Sequence, residues 1–587
     1  MIAAVIIAHA YFIAWLEVPI LHDAAGYLRL ARQIATEGLF TKYEMSELRT
    51  YLYPWCLGWL VRLSESTGIS VRLLAFECQL MLYILASLSL RLSLLRTGLP
   101  ASFARLTFGV VVLNPLVLIY SGYLLTESFS MSLEVVLLAC AVAVIAASSL
   151  RATIAAAAAL TFVNGMMIMT RPANVYFLPT VAVALGLAIW NRRLRPRATL
   201  LVLAAAFISL SLPFLPQLSN NIRYYGKATP LIVSSLGSIQ QQLGVRYIKF
   251  ATTHIPNQFP QVRYDNPFYH QEPLDQPLLW YLQHPGQGIA TVALHVFDLL
   301  DQDLPFPYST TLLPWYYPLA SMLNLLIVAT GLTGVLLAPF YLGPYGFTAA
   351  SVYVIAVTTL ACHFGLHSMT RIEARFGVPA LLILYVFAAW AVAFILPRLP
   401  SRVRVAILSG LGITVLAGSH LSAWVRNQAP SIRIAVEAQD PQLREAARKV
   451  TDGVIKGKAF LSPDLPDWTL VDAGVAAEGQ AVLVSKGSGQ VSLIQHAVTL
   501  GKSKNYVVTF DARALIPPDA PLSVDLYAPG YDNPEQNSIF TPYGSNFTSF
   551  TARWNSGPAA PVRAWLRFAT LSTTPIEIRQ VTFYAAK

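Results

Sequence analysis

Asp23 stands just past the outer end of the first apolar stretch, in His22-Asp23-Ala24-Ala25-Gly26-Tyr27. A carboxylate held at a lipid–water boundary can take a proton from a substrate that lives in lipid, provided the two come within hydrogen-bond reach. Aspartate is also a favoured helix N-cap, because its side chain satisfies a backbone N–H that would otherwise lack a partner. Other costly residues border apolar segments. Glu127 opens one in Leu124-Leu125-Thr126-Glu127-Ser128, Arg171-Pro172 closes a second, and Arg223 follows a third in Asn220-Asn221-Ile222-Arg223-Tyr224-Tyr225-Gly226-Lys227. His367, Arg371, Glu373 and Arg375 crowd a single short loop. Arginines close to the bilayer suit a phosphate anchored at that depth, since the guanidinium fork meets its oxygens in pairs. Each arginine can equally be an interfacial side chain that buries its stem and keeps its head in water.

These residues need membrane-crossing elements to position them. Hydrophobic residues make up 55% of the 587-residue chain and charged residues 12%, and mean hydropathy is +0.53. Such a composition belongs to polytopic membrane proteins. A span needs roughly 20 apolar residues. Eleven segments qualify, at 2–21, 69–90, 103–121, 128–149, 152–170, 174–190, 198–217, 314–338, 346–366, 376–396 and 405–423. The first reads as a retained span, because it lacks a basic leader and an A-x-A-like cleavage site. With a cytoplasmic N-terminus the inward loops hold Arg91, Arg96, Arg105, Arg151, Arg192, Arg193, Arg195, Arg197, Arg398, Arg402 and Arg404, the positive-inside pattern. Loops 22–68 and 218–313 and the tail after 424 then face outward. Within the first loop, Tyr27, Leu30, Ala31 and Ile34 share one helical face and Arg29, Arg32, Gln33 and Glu37 the other.

Much of the net charge of +11 is therefore topological, and no basic patch suggests a nucleic-acid partner. The chain has four cysteines, Cys56, Cys78, Cys140 and Cys362. All precede residue 400, so the tail must fold without disulfides. No CxxC or His-Cys cluster proposes a zinc site, and no glycine-rich phosphate loop is present.

Residues 425–587 differ in kind. Apolar residues alternate in short runs: Tyr506, Val508, Phe510 and Ala512; Val524 and Leu526; Trp565 and Phe568; Ile576, Ile578, Val581 and Phe583. Clusters at Pro517-Pro518-Asp519 and Pro529-Gly530-Tyr531-Asp532-Asn533-Pro534 separate them. That rhythm predicts an antiparallel β-sandwich. Its final stretch, from Trp565-Leu566-Arg567-Phe568 to Val581, resembles the last two strands of jelly-roll sugar-binding modules.

In their order, the membrane-bordering motifs resemble the GT-C glycosyltransferases that use polyprenyl-phosphate sugars, in the branch of protein O-mannosyltransferase and lipid A aminoarabinose transferase. Asp23-x-x-x-Tyr27 is followed by Arg49-Thr50-Tyr51-Leu52-Tyr53-Pro54, Thr126-Glu127 and Thr170-Arg171-Pro172. Pro213 through Gly226, with Asn221-Ile222-Arg223, is similar to the exit from the family's seventh span. Arg371-Ile372-Glu373-Ala374-Arg375-Phe376-Gly377-Val378-Pro379-Ala380 is similar to its arginine- and proline-rich stretch. The chain departs from the pattern where Ala24-Ala25 follow Asp23 and where Ile222 separates Asn221 from Arg223. The resemblance covers roughly residues 1–400.

It implies a GT-C-like catalytic domain over 1–424, of about 11 transmembrane helices, followed over 425–587 by an extracytoplasmic jelly-roll-like domain for which carbohydrate binding is the expected role. The protein would lie in the plasma membrane and move a sugar from a polyprenyl-phosphate donor to an acceptor hydroxyl on a glycan, lipid or protein, with inversion. Asp23 would be general base. Arg371 and Arg375, with Arg223 or Lys227, would bind the donor phosphate. Tyr27 and His22 would line the cavity, and Glu127 and Arg171 would orient these groups or pair with each other. No cofactor is implied and no metal is needed, although some relatives use a divalent ion. The residues alone leave open a different class: a flippase, polymerase or transporter of lipid-linked glycans without glycosyl transfer of its own.

Overall fold

The computed structural model describes residues 1–14, 22–42, 49–234, 236–251, 262–269, 276–302, 316–426 and 428, with strand segments between 460 and 586. The chain divides into two compact units, Met1–Ala251 with Arg263–Gln428, and Thr252–Val262 with Ala429–Lys587.

The first unit is built from helices. α1 (Ile2–Ala14), α2 (His22–Glu37), α3 (Leu52–Thr67), α4 (Val71–Leu94), α5 (Ala101–Val112), α6 (Pro115–Tyr120) and α7 (Thr126–Ala146) come first. Then follow α8 (Leu150–Thr170), α9 (Leu178–Arg192), α10 (Pro196–Ser211), α11 (Leu215–Tyr225) and α12 (Leu236–Arg246). A two-stranded sheet of β1 (Tyr247–Ala251) and β2 (Val262–Asp265) precedes α13 (Pro277–Gln283) and α14 (Pro285–Leu300). α15 (Tyr316–Leu342), α16 (Gly346–His367), α17 (Val378–Trp390) and α18 (Ser401–Arg426) complete it.

Among the described residues nine helical stretches are long and apolar enough to cross a membrane, and they fall on nine of the eleven expected segments. This is a multi-pass membrane protein. One expectation needs correction. Segment 103–121 is not one helix, because Asn114 and Pro115 divide it: Asn114 Oδ1 accepts from the backbone N–H of Leu116 at 3.0 Å and Val117 at 3.3 Å. Pro115 has no N–H to continue α5 and is pre-shaped for the first turn of α6. Local capping thus overrides apolar continuity. In segment 2–21 the described helix is Ile2–Ala14, shorter than a span; residues 15–21 lie outside the described residues.

The segment between the first two apolar stretches folds as a helical pair, α2 and α3. Ala31 and Ile34 on α2 are buried while Arg29 and Arg32 are exposed, as the periodicity predicts. Gly58 of α3 lies under the Ala31 carbonyl, where a Cβ would come to 3.0 Å. Arg62 Nε then donates to Ala35 O at 2.7 Å. The long loop is likewise structured, and α14 packs against the turn that leads into α17. There Gly377 leaves no room for a side chain, since a Cβ would strike the Leu299 carbonyl.

In the second unit, β3 (Phe460–Leu461), β4 (Thr469–Val471), β5 (Ala473–Ala476), β6 (Gln480–Leu483), β7 (Ser492–Thr499) and β8 (Asn505–Arg513) are followed by five more strands. These are β9 (Leu522–Tyr527), β10 (Ser538–Phe540), β11 (Thr548–Asn555), β12 (Arg563–Thr570) and β13 (Ile576–Ala586). They form antiparallel sheets in the orders β10-β9-β12-β7-β4 and β11-β8-β13-β6-β5, with β3 also on β13. One apolar cluster draws on both sheets, including Val508, Phe510, Val524 and Phe568. Leu566 joins Phe568 there, because side chains of one face recur every second residue, and the Trp565 side chain lies outside the described residues. The two strands likened to sugar-binding modules, β12 and β13, belong to different sheets. The expected turn clusters at 517–519 and 529–534 lie outside the described residues.

Gly377→Ala should therefore destabilise the protein by about 1–3 kcal/mol through overpacking against backbone. Thermal unfolding of the purified protein checks this; an unchanged melting temperature would contradict the close approach to Leu299.

Candidate active site

Proline and helix ends shape the site. Pro172 disfavours the helical conformation for the residue before it, so Arg171 leaves α8 in extended backbone, at φ −152° and ψ 114°. Asp23 and Glu127 lie in the first turns of α2 and α7, where the helix dipole favours a carboxylate. Residues 371–373 run extended: Arg371 N–H donates to Gln240 O at 2.8 Å and Ile372 O accepts from Phe250 N at 2.7 Å. Beyond them Ala374–Gly377 form a short 3-10 turn. α14 and the residues just after it clamp this segment at both ends, through His295 Nδ1 to Ser368 O at 2.6 Å and Gln302 Nε2 to Ala374 O at 2.8 Å.

Arg375 is the centre. Its Nε donates to Glu373 Oε2 at 2.7 Å, its Nη2 to Asp23 Oδ2 at 3.2 Å, and its Nη1 lies 3.4 Å from Glu127 Oε1. Arg49 Nη2 donates to Asp23 Oδ1 at 2.6 Å. Arg171 Nη1 is 3.5 Å from Glu127 Oε1, and Arg371 pairs with Glu373. Aromatic rings brace the cations: the guanidiniums of Arg49, Arg171 and Arg371 lie 4.2, 4.3 and 4.3 Å from the ring centres of Tyr27, Phe376 and Phe250. Behind Phe250, Lys249 Nζ is 3.7 Å from Asp301 Oδ2 with both side chains fully buried, and Ser321 Oγ donates to Asp301 Oδ1 at 2.7 Å.

An open cavity of about 1660 Å³ lies over this network, lined by Asp23, Tyr27, Arg49, Glu127, Arg171, Arg371, Glu373 and Arg375 among others. Exposure sorts them. Asp23 keeps 35% of its side-chain surface, against 5% for Glu127 and 3% for Glu373. Arg171 is the most open cation at 24%, and Arg375 the most buried at 9%. Burial alone would raise the Asp23 carboxyl, but the guanidiniums of Arg375 and Arg49 outweigh it and hold the group well below the usual carboxylate range. Asp23 is thus anionic at neutral pH. Its oxygens serve the two arginines rather than a helix cap.

The structure brings together Asp23, Tyr27, Glu127, Arg171, Arg371 and Arg375 in the cavity wall. Glu127 and Arg171 do pair. Arg223 and Lys227 are exposed and do not line the cavity; Arg223 lies 5.2 Å from the Tyr224 ring centre and Lys227 Nζ donates to Val233 O at 3.2 Å. Their segment is fixed by Asn221, whose Nδ2 donates to Thr229 O at 2.7 Å and Leu231 O at 2.6 Å. His22 opens α2, and its side chain lies outside the described residues. Two members escaped sequence reasoning as site residues, Arg49 and Glu373. Arg49 sat inside a recognised motif, and the i, i+2 spacing of Arg371, Glu373 and Arg375 is what an extended segment needs to gather three charges.

No family model matches the chain, and no curated protein matches it. Among solved structures it is similar to ArnT from Cupriavidus metallidurans. In the apo state the identity is 15%, covering 70% of this chain and 62% of that one, with TM-score 0.39. Bound to undecaprenyl phosphate, the values are 14%, 70%, 62% and 0.36. The Archaeoglobus fulgidus oligosaccharyltransferase in complex with Zn and sulfate matches at 14% identity over 70% of this chain and 53% of that one, TM-score 0.38. Arabinosyltransferase EmbB from Mycobacterium smegmatis matches at 12% over 100% and 65%, TM-score 0.30. The chain thus spans less than two thirds of each of these proteins. These are distant likenesses, and the function of the site rests on its own geometry.

Arg375→Ala leaves buried carboxylates without their shared cation and should cost about 3–5 kcal/mol of stability. Arg223→Ala, on an exposed surface, should stay within roughly 0.5 kcal/mol. Parallel thermal unfolding of the two variants checks this; equal melting would show that Arg375 does not hold the site together.

Proposed function

We propose that this protein is a GT-C-type glycosyltransferase that moves a sugar from a polyprenyl-phosphate donor to an acceptor hydroxyl. The observation that carries this reading is the charge balance of the cavity. Among the described residues, four guanidiniums, of Arg49, Arg171, Arg371 and Arg375, face three carboxylates, of Asp23, Glu127 and Glu373. The excess of one positive charge matches the single negative charge of a phosphodiester. Asp23 is the carboxylate most open to the cavity, at a helix start beside apolar α1, where a lipid-borne headgroup would arrive.

The reaction follows from these positions. The acceptor oxygen bonds to the anomeric carbon on the face opposite the phosphate, and the bond from that carbon to the phosphate oxygen breaks. Its electron pair leaves with polyprenyl phosphate, and configuration inverts. The acceptor proton passes to a free lone pair of Asp23. Arg171 and Arg371, less buried than Arg375, meet the phosphate and offset the charge that grows on it. Arg375 acts chiefly as a positioning residue, holding Asp23, Glu127 and Glu373 in register. A carboxylate held below its ordinary pKa, near 4, is a weak base, so proton transfer comes late and alignment supplies much of the acceleration. An incoming phosphate also competes for the guanidiniums that hold Asp23. As Arg49, the more exposed of the two, turns toward the donor while Arg375 keeps its place, the carboxylate regains basicity, which couples donor binding to activation of the base. No step requires a metal.

The positive-inside pattern supports a cavity on the extracytoplasmic face with the N-terminus in the cytoplasm. The second unit fits a β-sandwich, since its five- and six-stranded sheets share one apolar core. We assign it the recruitment of a glycan acceptor.

Asp23→Asn should lower transfer by at least a hundredfold, measured as release of polyprenyl phosphate by protein in lipid nanodiscs, while donor binding stays near wild type. Turnover at the wild-type rate would remove Asp23 as the base. The pH profile gives a second test. A depressed pKa keeps Asp23 ionised until the pH falls below the usual range, so the acid limb of kcat/KM should lie below pH ~4. Arg49→Gln removes one of the depressing charges and should move that limb upward; a limb that stays in place would mean that Arg49 does not tune this group.

A further inference from the structure

A second cavity lies away from the charged one, at the opposite ends of three shared helices. α7 gives Glu127 to the charged cavity and Val135, Leu138 and Val142 to the second. α16 gives His367 to the first and Ala349, Val352 and Ala356 to the second. Arg375 and Phe376 precede α17, whose far end contributes Phe387 and Trp390. By helical rise, Trp390 lies roughly 20 Å from Arg375 along this path. No charged side chain lines this chamber, and its wall is almost entirely carbon. A space so apolar gives water too few partners to settle there.

The chamber adjoins a second space, since Leu99, Phe103 and Trp390 line both. The character of the wall changes at this outlet. Tyr341, Tyr345 and Arg398 line it, and Phe340 beside them is largely exposed. Aromatic rings with an apolar body and a polar tip, set beside arginine, are the chemistry of a membrane interface. Arg96 lies on the turn just before Leu99, and Arg402 and Arg404 follow Arg398 at the start of α18. The outlet is therefore cationic, while the chamber behind it is wholly apolar.

We propose that this pair of cavities is a binding site for one anionic phospholipid of the membrane, with an acyl chain in the chamber and the phosphate headgroup at Arg398. Acyl chains are the apolar solute present at this depth, and burying one displaces no hydrogen-bonded water. An arginine at the outlet favours an anionic headgroup over a zwitterionic one, since basic residues near the membrane surface attract anionic lipid. The site is separate from the donor cavity, so it stands whether or not the protein transfers sugar. Filled, the chamber supports the far ends of α7, α16 and α17, the same helices that carry the charged cavity.

Native mass spectrometry of the full-length protein tests this, with phosphatidylglycerol and phosphatidylcholine of matched chains added in equal amounts. The wild type should retain one phosphatidylglycerol per chain. Ala356→Phe, which fills the chamber, should lower that occupancy at least about tenfold, equivalent to 1.4 kcal/mol. Arg398→Gln, on an exposed outlet residue, should keep a bound lipid but lose the preference for phosphatidylglycerol. Wild-type retention in the filled variant overturns the proposal, as does a bound molecule that proves to be polyprenyl phosphate. Should Ala356→Phe fail to fold, Arg398→Gln decides alone: an unaltered headgroup preference overturns the site.

Discussion

A guanidinium taken out of water is tolerated only if anions replace its hydration, and Arg375 meets that condition with three carboxylates, two of them from distant parts of the chain. Asp23 lies in the first turn of α2, Glu127 in the first turn of α7, and Glu373 two residues away on the same extended segment. Each carboxylate is in turn acceptable at its depth because of the shared cation. The scaffold around Arg375 serves that arrangement. The Gln302 side chain holds the Ala374 carbonyl, and the absence of a side chain at Gly377 lets α14 approach. The buried Lys249–Asp301 pair anchors β1, which carries the Phe250 ring under Arg371. The site is therefore a charge lattice spanning elements far apart in sequence, and its geometry stands or falls as a unit.

That dependence explains what could be read from the sequence. Long spans are legible because roughly 20 successive apolar residues have few other fates. Asn114-Pro115 is the exception, since a cap and a missing N–H act over three residues and defeat an average taken over twenty. Asp23 was legible from its type and place at a span's end. The partners of Asp23 were not. Its contact with Arg375 bridges residues 352 apart, and nothing in a local pattern names a partner at that distance. Arg223 and Lys227 show the complementary failure. Charge at the end of a span fixes depth in the membrane, but it does not fix which way around the bundle a side chain points. The Asn221 contacts hold that segment in a turn whose cations are exposed.

The second unit carried its fold more openly, because alternation of two is a strict code. The change of parity from Ile576 and Ile578 to Val581 and Phe583 is visible in the sequence, and the structure supplies its cause. Pairing of β13 with β8 shifts register between Arg579 and Thr582, and Gln580 sits at φ +53°. A bulge inserts one residue and returns the apolar side chains to the same face. Val581 and Phe583 thereby rejoin the core that Ile576 and Ile578 already occupy.

The charge balance also limits what the cavity can hold on the proposed reading. A phosphodiester brings one negative charge, which the one unmatched guanidinium offsets. A diphosphate-linked donor would bring at least two, and the surplus would have to be met by separating an existing pair. The cation that could move most readily is Arg171, the most open and the one at 3.5 Å from its carboxylate. Moving it would leave Glu127 to Arg375 alone, and Arg375 is already shared with Asp23 and Glu373. The same shortage appears as the bond to the sugar breaks, when the leaving phosphate monoester gains a second charge. At that moment the proton reaching Asp23 cancels one carboxylate, and the guanidinium it releases becomes available to the phosphate. Proton acceptance and leaving-group stabilisation are then one electrostatic event, distributed over Asp23, Arg49 and Arg375. A neutral side chain at position 23 would leave the number of cations unchanged but remove the proton's destination.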